Sequence, residues 1–304
     1  MNLKRLCVII VTYNGAKWIN NCLNSVLHST VKTSIIVIDN NSTDETTSFI
    51  KKISPQIILL EQKENKGFGL ANNIGLKYAI EHNYEYIYLL NQDAWVESNT
   101  LQILIDILDN NINYGIVSPL QLSGDGNKLD YNFQTLLSPH ICKDLLSDLV
   151  VGKETKDIYP TNDVMAAHWM IRTESLKKVG GFMPLFQHYG EDGNLIHRMK
   201  YFGWEVGISP NCIGYHDREY RINSSEKNLY LVYVQFLISS SDITLSPKRI
   251  LYFICKLIVL VTITKGSIAR KGFYLYKGVG KVLSILNYRK LAKQSALENF
   301  KWIL

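Results

Sequence analysis

Four short apolar runs, each followed by a cluster of polar residues, constrain the fold of this chain more than any other feature. The runs lie at residues 6–11, 35–38, 57–60 and 86–90. The stretches between them, such as residues 17–27 and 69–81, have the apolar spacing of helices. Continuous apolar strands that alternate with helices are typical of a mostly parallel sheet covered on both faces. The sequence therefore predicts an α/β fold.

The polar clusters that follow the runs are the candidates for ligand binding. They read TYNG at 12–15, DNNSTD at 39–44, ENKGFG at 64–69 and NQD at 91–93. Ligands of parallel α/β sheets bind at the carboxyl ends of the strands, so we expect the four clusters to meet at one edge. Each cluster also has a purely structural interpretation as a turn, a helix cap or a tight loop, and the glycines of the third lack the spacing of a nucleotide fingerprint.

Two carboxylates at this edge need partners. Asp39 ends an apolar run, and a carboxylate there must either lie at a solvated edge or find hydrogen-bond donors, such as those of a ribose or a uracil-like base. Asp93 is the only charged residue between Tyr86 and Val96. Mg²⁺ in proteins is typically held by one or two carboxylates, water and substrate phosphate, so Asp93 with Asn91 nearby predicts a metal site.

The cysteines and the N-terminus indicate a cytoplasmic protein. The five cysteines are scattered and form no C-x-x-C pair, so neither a disulfide framework nor a zinc site is predicted. The first apolar run ends after about six residues at Thr12, which favours a strand over a signal peptide.

Charge is distributed unevenly along the chain. Residues 1–242 carry 21 Lys and Arg against 26 Asp and Glu, whereas residues 243–304 carry 12 against 1. Residues 250–263 are apolar except for one lysine, and this run is too short to span a bilayer. We therefore expect a domain at 1–242, with halves at about 1–120 and 121–242, followed by a helical basic and apolar extension at 243–304.

The extension has three interpretations. A basic, apolar and aromatic segment can lie in a membrane interface, where anionic lipid attracts it. It can also pack on the preceding domain or on a second subunit as a homo-oligomer. A nucleic-acid surface is disfavoured because no binding motif accompanies the basic residues.

Six motifs in order give the chain its resemblance to a known family. VTYN, DNNSTD, ENKGFGLANNIG and LLNQDA follow the four runs, and AAHWMIRTESLKKVGGF at 166–182 and HYGEDGNLIHRMKYFGW at 188–204 come later, before His216. Together they resemble the inverting family 2 glycosyltransferases, which have a Rossmann-like GT-A fold, over about seventy per cent of the chain. Within that family the subset that it looks most like transfers rhamnose or a related sugar.

The resemblance implies a reaction and a cofactor. The family moves a sugar from a nucleotide-diphosphate sugar to an acceptor hydroxyl, with inversion at the anomeric carbon. Asp93 matches the last residue of the family's D-x-D metal motif, in which Asn91 here replaces the first aspartate. His216 matches a metal-binding histidine of many relatives, although a surface histidine in a polar turn is the ordinary alternative. The implied cofactor is Mg²⁺ or Mn²⁺.

The resemblance also assigns the remaining site residues. Asp192 matches the base that takes the acceptor proton, with Glu191 beside it, and acidic residues at a helix start are the alternative interpretation. His168 and Trp169 would line the acceptor side, and Trp169 fits a core position equally well. The nucleotide sugar would be bound by Thr12, Asn14, Asp39, Asn41, Asn65, Gly67, Asn91 and Gln92.

These observations lead to one expected function with two rivals. We expect a transferase that uses dTDP-rhamnose or a UDP-sugar and a glycan or polyprenyl-linked acceptor in bacterial surface polysaccharide synthesis, at the inner face of the cell membrane. One rival is a nucleotide-sugar-binding protein without catalysis, which the Asn91 replacement suggests. The other is a nucleotidyltransferase, whose glycine-rich basic phosphate loop is replaced here by TYNGAKW after the first run.

Overall fold

The computed structural model describes residues 6–218 and 224–294. The predicted strands and helices form where the apolar pattern places them. The strands are β1 Leu6–Thr12, β2 Thr33–Asp39, β3 Ile58–Glu61, β4 Tyr86–Asn91, β5 Ala94–Val96, β6 Tyr114–Ser123, β7 Tyr159–Pro160, β8 His168–Arg172 and β9 Glu205–His216. The helices are α1 Ile19–Leu27, α2 Thr46–Ile53, α3 Phe68–Glu81, α4 Thr100–Asn110, α5 Phe133–Leu136, α6 Leu145–Val150, α7 Thr173–Val179, α8 Glu191–Tyr201, α9 Ser225–Ser241, α10 Arg249–Ile263, α11 Ile268–Gly280 and α12 Val282–Lys293.

All the strands join one sheet. Its order is β3-β2-β1-β4-β8-β6-β9-β5, and β7 pairs with β9. Strands β1 to β4 pair in parallel, which confirms the expected Rossmann-like half. Strand β8 runs antiparallel to both β4 and β6 and joins this half to the parallel pair of β6 and β9.

The register of the parallel strands places the polar clusters side by side. Thr12 lies opposite Asp39 across β1 and β2, and Val11 lies opposite Asn91 across β1 and β4. Because side chains alternate between the faces of a strand, Ile9 packs in one core and Val8 and Ile10 pack in the other. The sheet is thus buried on both faces, and its polar residues are confined to the strand ends.

A third core forms where the C-terminal helices pack together. It combines apolar residues of α9 to α12 with a segment that precedes α8, represented by Met183, Leu185 and Phe186. The buried guanidinium of Arg289 on α12 donates hydrogen bonds to the carbonyls of Ser240, Asp242 and Leu245. Helix α9 therefore shares its core with residues beyond 243, and the domain boundary at 242 stays a prediction.

The apolar run at 250–263 is confirmed as a helix within α10. Across the described residues, none of the helices combines the length and the hydropathy that crossing a bilayer requires. All five cysteines lie in the described part of the chain and are free thiols.

Candidate functional site

The loop after β1 is locked to the loop after β4 by Gln92. The Oε1 atom of Gln92 accepts hydrogen bonds from the Thr12 hydroxyl at 2.7 Å and from the Tyr13 N–H at 2.9 Å. Gly15 is required beside this contact, since a Cβ atom there would lie 2.3 Å from the same oxygen. Thr12 and Gln92 therefore hold the shape of the sheet edge.

The loops after β1 and β2 bind each other through Asn14. Its N–H donates to the Ser42 hydroxyl at 2.9 Å, and its Oδ1 accepts from the Thr43 N–H at 2.8 Å. Asn14 and Asn41 both adopt a positive φ, of 49° and 70°, which asparagine tolerates better than most residues. Asn41 itself is exposed at the edge.

Asp39 is buried with one oxygen unpartnered. Its side chain is 2% exposed, and Oδ2 accepts from the Ser42 N–H at 3.0 Å. Its Oδ1 has no hydrogen-bond partner among the described residues. A buried acceptor without a donor costs about 1–3 kcal/mol, so this oxygen is suited to a donor that arrives with a ligand.

Asn40 is a residue that the sequence interpretation missed. It is buried, and its Nδ2 donates to Asn65 Oδ1 at 2.9 Å while its Oδ1 accepts from the Lys66 N–H at 2.9 Å. The same Asn65 oxygen accepts from the Gly67 N–H at 2.9 Å. The first asparagine of DNNSTD thus ties the loop after β3 to that after β2, and only its position inside a polar cluster signalled this role.

Gly67 brings the loop after β3 against the segment that precedes α8. Its φ is 78°, and a Cβ atom there would lie 2.4 Å from the carbonyl oxygen of Gln187. No side chain fits this approach. The donor-side loops and the segment before α8 are therefore in direct backbone contact.

The predicted metal ligands Asp93 and His216 form a pair. Strand β5 pairs with β9 so that Ala94 lies opposite His216, and Asp93 Oδ1 is 3.3 Å from His216 Nε2. Burial acts to raise the pKa of Asp93, but the hydrogen bond with His216 and its charge outweigh burial and lower that pKa. The neighbouring Asn91 has a buried Oδ1 atom with no partner in the described structure.

Asp130 supports His216 from the other side and was not predicted. Asp130 is buried, and its Oδ2 lies 3.8 Å from His216 Nδ1 and 3.8 Å from Arg218 Nε. The nearer partner of His216 Nδ1 is the Arg218 guanidinium, at 3.4 Å, so Asp130 supports the ring by its charge and through Arg218. Asp130 lies far from the motifs in sequence, in GDGNKLDYN, and no local pattern pointed to it.

The side chains around the metal pair offer few ligands, but they are of the kinds that a divalent cation binds. Within residues 6–218 and 224–294, no three His, Cys, Asp or Glu side chains form a group that could hold a metal. One carboxylate, one imidazole and the unpartnered Asn91 oxygen fit a cation that takes its remaining ligands from water and substrate phosphate.

The acid pair lies at the start of α8, after two residues with positive φ. Tyr189 has a φ of 66° and Gly190 a φ of 90°. Asp192 is partly exposed, and its Oδ1 accepts from the Gly193 N–H at 2.9 Å. Glu191 is 5% exposed, and its Oε2 has no partner in the described residues. Burial raises the pKa of both carboxyls, and the charge of Asp192 raises the pKa of Glu191 further.

One cleft of about 740 Å³ joins the metal pair to the acid pair. Among the predicted residues, its walls contain Asn91, Asp93, Glu191, Asp192 and His216. The other predicted donor-site residues lie at the same sheet edge but outside the walls of this cleft: Thr12, Asn14, Asp39, Asn41, Asn65, Gly67 and Gln92.

The expected acceptor residues His168 and Trp169 lie in the core instead. Both are fully buried, and the Trp169 ring stacks on Phe182 with centroids 6.2 Å apart. Burial lowers the pKa of His168 to about 3. The neutral ring therefore donates from Nε2 to the Tyr215 carbonyl at 3.1 Å and accepts at Nδ1 from the Tyr88 hydroxyl at 2.9 Å. The prediction that these two side chains line the acceptor side is therefore wrong, because β8 is a central strand and both of its faces are buried.

The opposite wall of the cleft carries Ala166 and Ala167, whose small side chains the sequence already suggested would let a sugar approach, and three residues near α8 that the sequence interpretation missed. Ala166 and Ala167 line the cleft just before β8, and His188, Tyr189 and Lys227 line it near α8. Lys227 Nζ lies 5.4 Å from the centre of the Tyr189 ring, and this ring is 40% exposed. An aromatic face and a cation are thus available beside the acid pair.

Comparisons with known proteins show which proteins have similar sequences. The family model described as Glycosyl transferase family 2 matches residues 7–180. A glycosyltransferase of Nostoc sp. is 26% identical over 217 residues, which cover 69% of this chain and 64% of that protein. The poly(ribitol-phosphate) beta-N-acetylglucosaminyltransferase TarP of Staphylococcus aureus is 28% identical over 133 residues, 42% of this chain and 40% of TarP. The chain thus spans less than two thirds of the length of these curated relatives.

Solved structures show the same fold. S. aureus TarS in complex with UDP-GlcNAc superimposes with a TM-score of 0.60 at 15% identity, over 98% of this chain and 90% of that chain. A mannosyltransferase of Pyrobaculum calidifontis in complex with GDP-Man and Mn²⁺ also gives 0.60, at 19% identity, over 98% and 87% of the two chains. The GT-A fold is therefore confirmed, and because the family match covers more than half of its residues, the chain belongs to glycosyl transferase family 2.

Proposed function

We propose that this chain is an inverting glycosyltransferase that moves a sugar from a nucleotide-diphosphate sugar to an acceptor hydroxyl. The observation that carries the proposal is the single cleft in which the Asp93–His216 pair and the Glu191–Asp192 pair both lie. The reaction needs one group near the leaving diphosphate and another near the acceptor hydroxyl. The two pairs are suited to these separate tasks.

The nucleoside belongs on the loops after β1 and β2. The unpartnered Oδ1 of Asp39 can accept a hydrogen bond from a ribose hydroxyl or a base N–H, and the locked loops around it are rigid before the donor arrives. The solved relatives hold UDP-GlcNAc and GDP-Man, which supports a nucleotide-sugar donor. We propose a UDP-sugar or dTDP-rhamnose.

Asp192 acts as the base. Its carboxylate takes the proton of the acceptor hydroxyl while that oxygen bonds to the anomeric carbon from the face opposite the diphosphate. The bond from the anomeric carbon to the phosphate oxygen breaks, and its electron pair leaves with the nucleoside diphosphate. A raised pKa makes Asp192 a stronger proton acceptor than an ordinary aspartate.

Asp93, His216 and Asn91 would hold a divalent cation, Mg²⁺ or Mn²⁺. Such a cation supplies positive charge against the negative charge that develops on the diphosphate. The protein's own task here is to orient its ligands: Asp130 holds the His216 ring, and the pairing of β5 with β9 sets the distance between Asp93 and His216.

The acceptor approaches along Ala166, Ala167, Tyr189 and Lys227. The small alanines leave room beside the acid pair, the Tyr189 ring offers a face for a sugar ring, and Lys227 offers a charge for an anionic group. A glycan or a polyprenyl-linked acceptor fits this wall. The relative TarP is named for transfer to poly(ribitol phosphate), which supports a place in surface polysaccharide synthesis on the cytoplasmic side.

The experiment is a panel of nucleotide-diphosphate sugars, assayed for release of nucleoside diphosphate with and without Mn²⁺. We expect release with one donor class, stimulated by Mn²⁺ and by a lipid-linked or glycan acceptor. Nucleotide binding without turnover for every donor and acceptor would identify a binding protein, which the Asn91 replacement would then explain. Release of pyrophosphate from a nucleoside triphosphate and a sugar phosphate would identify a nucleotidyltransferase.

A further inference from the structure

The outer faces of α10, α11 and α12 form an exposed apolar surface. Of the 21 exposed large apolar side chains in the described residues, 11 lie between 251 and 286. We call this set the outer face; its members are Leu251, Tyr252, Ile258, Val259, Ile263, Ile268, Phe273, Tyr276, Val279, Leu283 and Leu286. Such a concentration marks an interaction site, because soluble proteins rarely expose large contiguous apolar patches.

Helix α10 shows why this surface is expected to contact an apolar partner. Its inner row of Ile250, Phe253, Leu257 and Val261 packs in the third core. Its outer row of Leu251, Cys255, Ile258 and Thr262 repeats at helical spacing and is exposed. A helix that is apolar on all sides is stable only where both its faces meet apolar groups.

The charge that α10, α11 and α12 themselves carry is of one sign, and an acidic partner from another element is Glu226 of α9, which pairs with Arg270. Residues 243–294 contain 11 Lys and Arg and no Asp or Glu. Lys248, Arg249, Lys256 and Lys265 are exposed at the ends and along the side of α10. Apolar side chains flanked by basic ones match the interface of an anionic bilayer, where acyl chains lie beneath negatively charged headgroups.

A second copy of the chain is a poorer partner for this surface. A two-fold interface pairs the same patch on both subunits, so each cluster of lysines and arginines would face its own copy. An anionic lipid surface instead places opposite charges in contact. The exposed apolar residues alone fit either a second copy of the chain or a lipid surface, and the positive charge favours the anionic lipid surface.

The outer face is one helix layer away from the cleft. Lys227 and Leu231 of α9 line the cleft, while Tyr230 and Tyr233 on the same helix contact Tyr274 of α11, with ring centroids 6.3 and 5.8 Å apart. A surface that holds α10 and α11 would thus hold the acceptor wall close to it.

We propose that the outer face of α10, α11 and α12 docks on an anionic phospholipid surface. The apolar side chains enter the headgroup region and the lysines and arginines bind the anionic headgroups. The chain then lies on the membrane without crossing it. This proposal is independent of the sugar that the cleft transfers.

The experiment is co-sedimentation of the full chain with phosphatidylcholine vesicles, with and without about 30% phosphatidylglycerol. We expect binding to the anionic vesicles only, weakened by high salt because ions screen the lysines. Lys256→Gln with Lys265→Gln should weaken binding by about fivefold per charge. Leu251→Gln with Ile258→Gln should weaken it by at least about tenfold, because two large apolar groups lose their burial.

The matched control is Ile112→Gln, which changes an apolar residue that is 78% exposed, against 70% for Leu251 and 45% for Ile258, and that lies between α4 and β6, outside the outer face. It should bind vesicles as the unchanged chain does. Circular dichroism checks that every variant folds, and light scattering gives its mass in solution. Equal binding to neutral and anionic vesicles, no binding by the folded chain, or a dimer that dissociates in the Leu251→Gln, Ile258→Gln variant without any vesicle binding would each overturn the proposal.

Discussion

At the scale of single residues, exposure separates the roles of the two neighbouring carboxyls. Asp192 is partly exposed to the cleft and can reach an acceptor hydroxyl, whereas Glu191 is buried. We therefore expect Asp192→Asn to lower kcat by about 10² to 10⁴ while the affinity for donor changes little, because only the proton acceptor is lost. Steady-state kinetics with the donor found in the panel, and calorimetric titration of that donor, measure the two effects.

The matched control for Asp192→Asn is Glu174→Gln. Glu174 is also an acidic residue in the first turn of a helix, but it is exposed on α7 and outside the cleft. Its replacement should leave kcat unchanged. Near-normal turnover of Asp192→Asn with donor still bound would mean that another group takes the proton.

If Asp93 is a metal ligand, its replacement should weaken the response of activity to Mn²⁺ while the chain still folds. Asp93→Ala removes the only carboxylate of the predicted metal site and leaves His216 with its Asp130 support. We expect the Mn²⁺ concentration for half-maximal activity to rise by about 100-fold, because outer ligands alone already contribute 10-fold to 100-fold. A titration of activity with Mn²⁺ measures this shift.

Asp106→Ala on the surface of α4 is the control, since Asp106 is an exposed aspartate that lies outside the walls of the cleft. Its Mn²⁺ titration should match that of the unchanged chain. An Asp93→Ala variant that keeps both its activity and its Mn²⁺ response would remove Asp93 from the metal site.

Glu191 makes stability depend on pH. Burial and the charge of Asp192 raise its pKa in the folded chain, so between the ordinary and the raised value the folded state binds more protons than the unfolded state. The free energy of unfolding therefore falls as pH rises through this window. The Glu191→Gln variant cannot ionise at this position and therefore avoids this loss of stability. At pH 8 its melting temperature should exceed that of the unchanged chain by about 2–4 °C for each kcal/mol of unfolding free energy gained, and this difference should shrink towards pH 5. Melting curves at both pH values test this, and a gain that is equal at pH 5 and pH 8 would contradict it.

At the scale of elements, the start of α8 depends on close packing against α9. Gly190 has a φ of 90°, and a Cβ atom there would lie 2.9 Å from side-chain atoms of Val234 and Ile238. Gly190→Ala should lower the free energy of unfolding by about 1–3 kcal/mol and reduce kcat, because it moves the acid pair. Gly193 lies in the same helix, where an added Cβ atom meets Ile238 at an ordinary 3.9 Å.

Gly193→Ala is therefore the control for Gly190→Ala, and helix propensity predicts that it is neutral or stabilising by up to about 1 kcal/mol. Urea denaturation and kcat are measured for both variants. If the two substitutions have equal effects, then general loss of glycine, and not the contact with α9, explains them.

The elements that could be predicted from sequence are those set by local pattern. The apolar runs gave β1 to β4, because a strand buried on both faces has to be apolar throughout. Strand β8 could not be placed, since its antiparallel pairing with β4 and β6 joins residues 53 to 86 positions apart in the sequence. The error on His168 and Trp169 follows from this, because a central strand buries both its faces.

The candidate site was predictable to the same extent. Residues that follow parallel strands meet at one edge by geometry, so Asp39 and Asp93 could be found from their positions alone. The support given by Asn40 and Asp130, and the positive φ of Tyr189, arise from contacts between loops that have no local signature. Sequence motifs thus identify the groups that meet the substrate better than those that hold these groups in place.

At the scale of the whole molecule, the third core connects the cleft to the C-terminal helices. Phe186 precedes the acid pair by a few residues, and it packs in the same cluster as Phe236 of α9 and Phe253 of α10. A boundary at 242 in the sequence therefore does not divide the apolar packing. We expect the described chain to unfold as one cooperative unit.

Phe253→Ala tests this coupling. Phe253 is 7% exposed, so its truncation should cost about 3–5 kcal/mol. Tryptophan fluorescence reports mainly on residues 1–242, since four of the five tryptophans, Trp18, Trp95, Trp169 and Trp204, lie there and only Trp302 follows, whereas circular dichroism reports on all the helices. In urea denaturation both signals should shift to the same lower midpoint.

Tyr252→Ala changes the neighbouring aromatic residue, which is 56% exposed, and should change the free energy of unfolding by no more than about 0.5 kcal/mol. If Phe253→Ala lowers the midpoint of the helix signal while the tryptophan midpoint stays in place, residues 1–242 fold independently and the third core does not couple the two parts. If both signals shift together, the packing that supports α10 also supports the segment that carries Asp192. The position of the proposed base, Asp192, would then depend on residues that are far from the cleft in sequence.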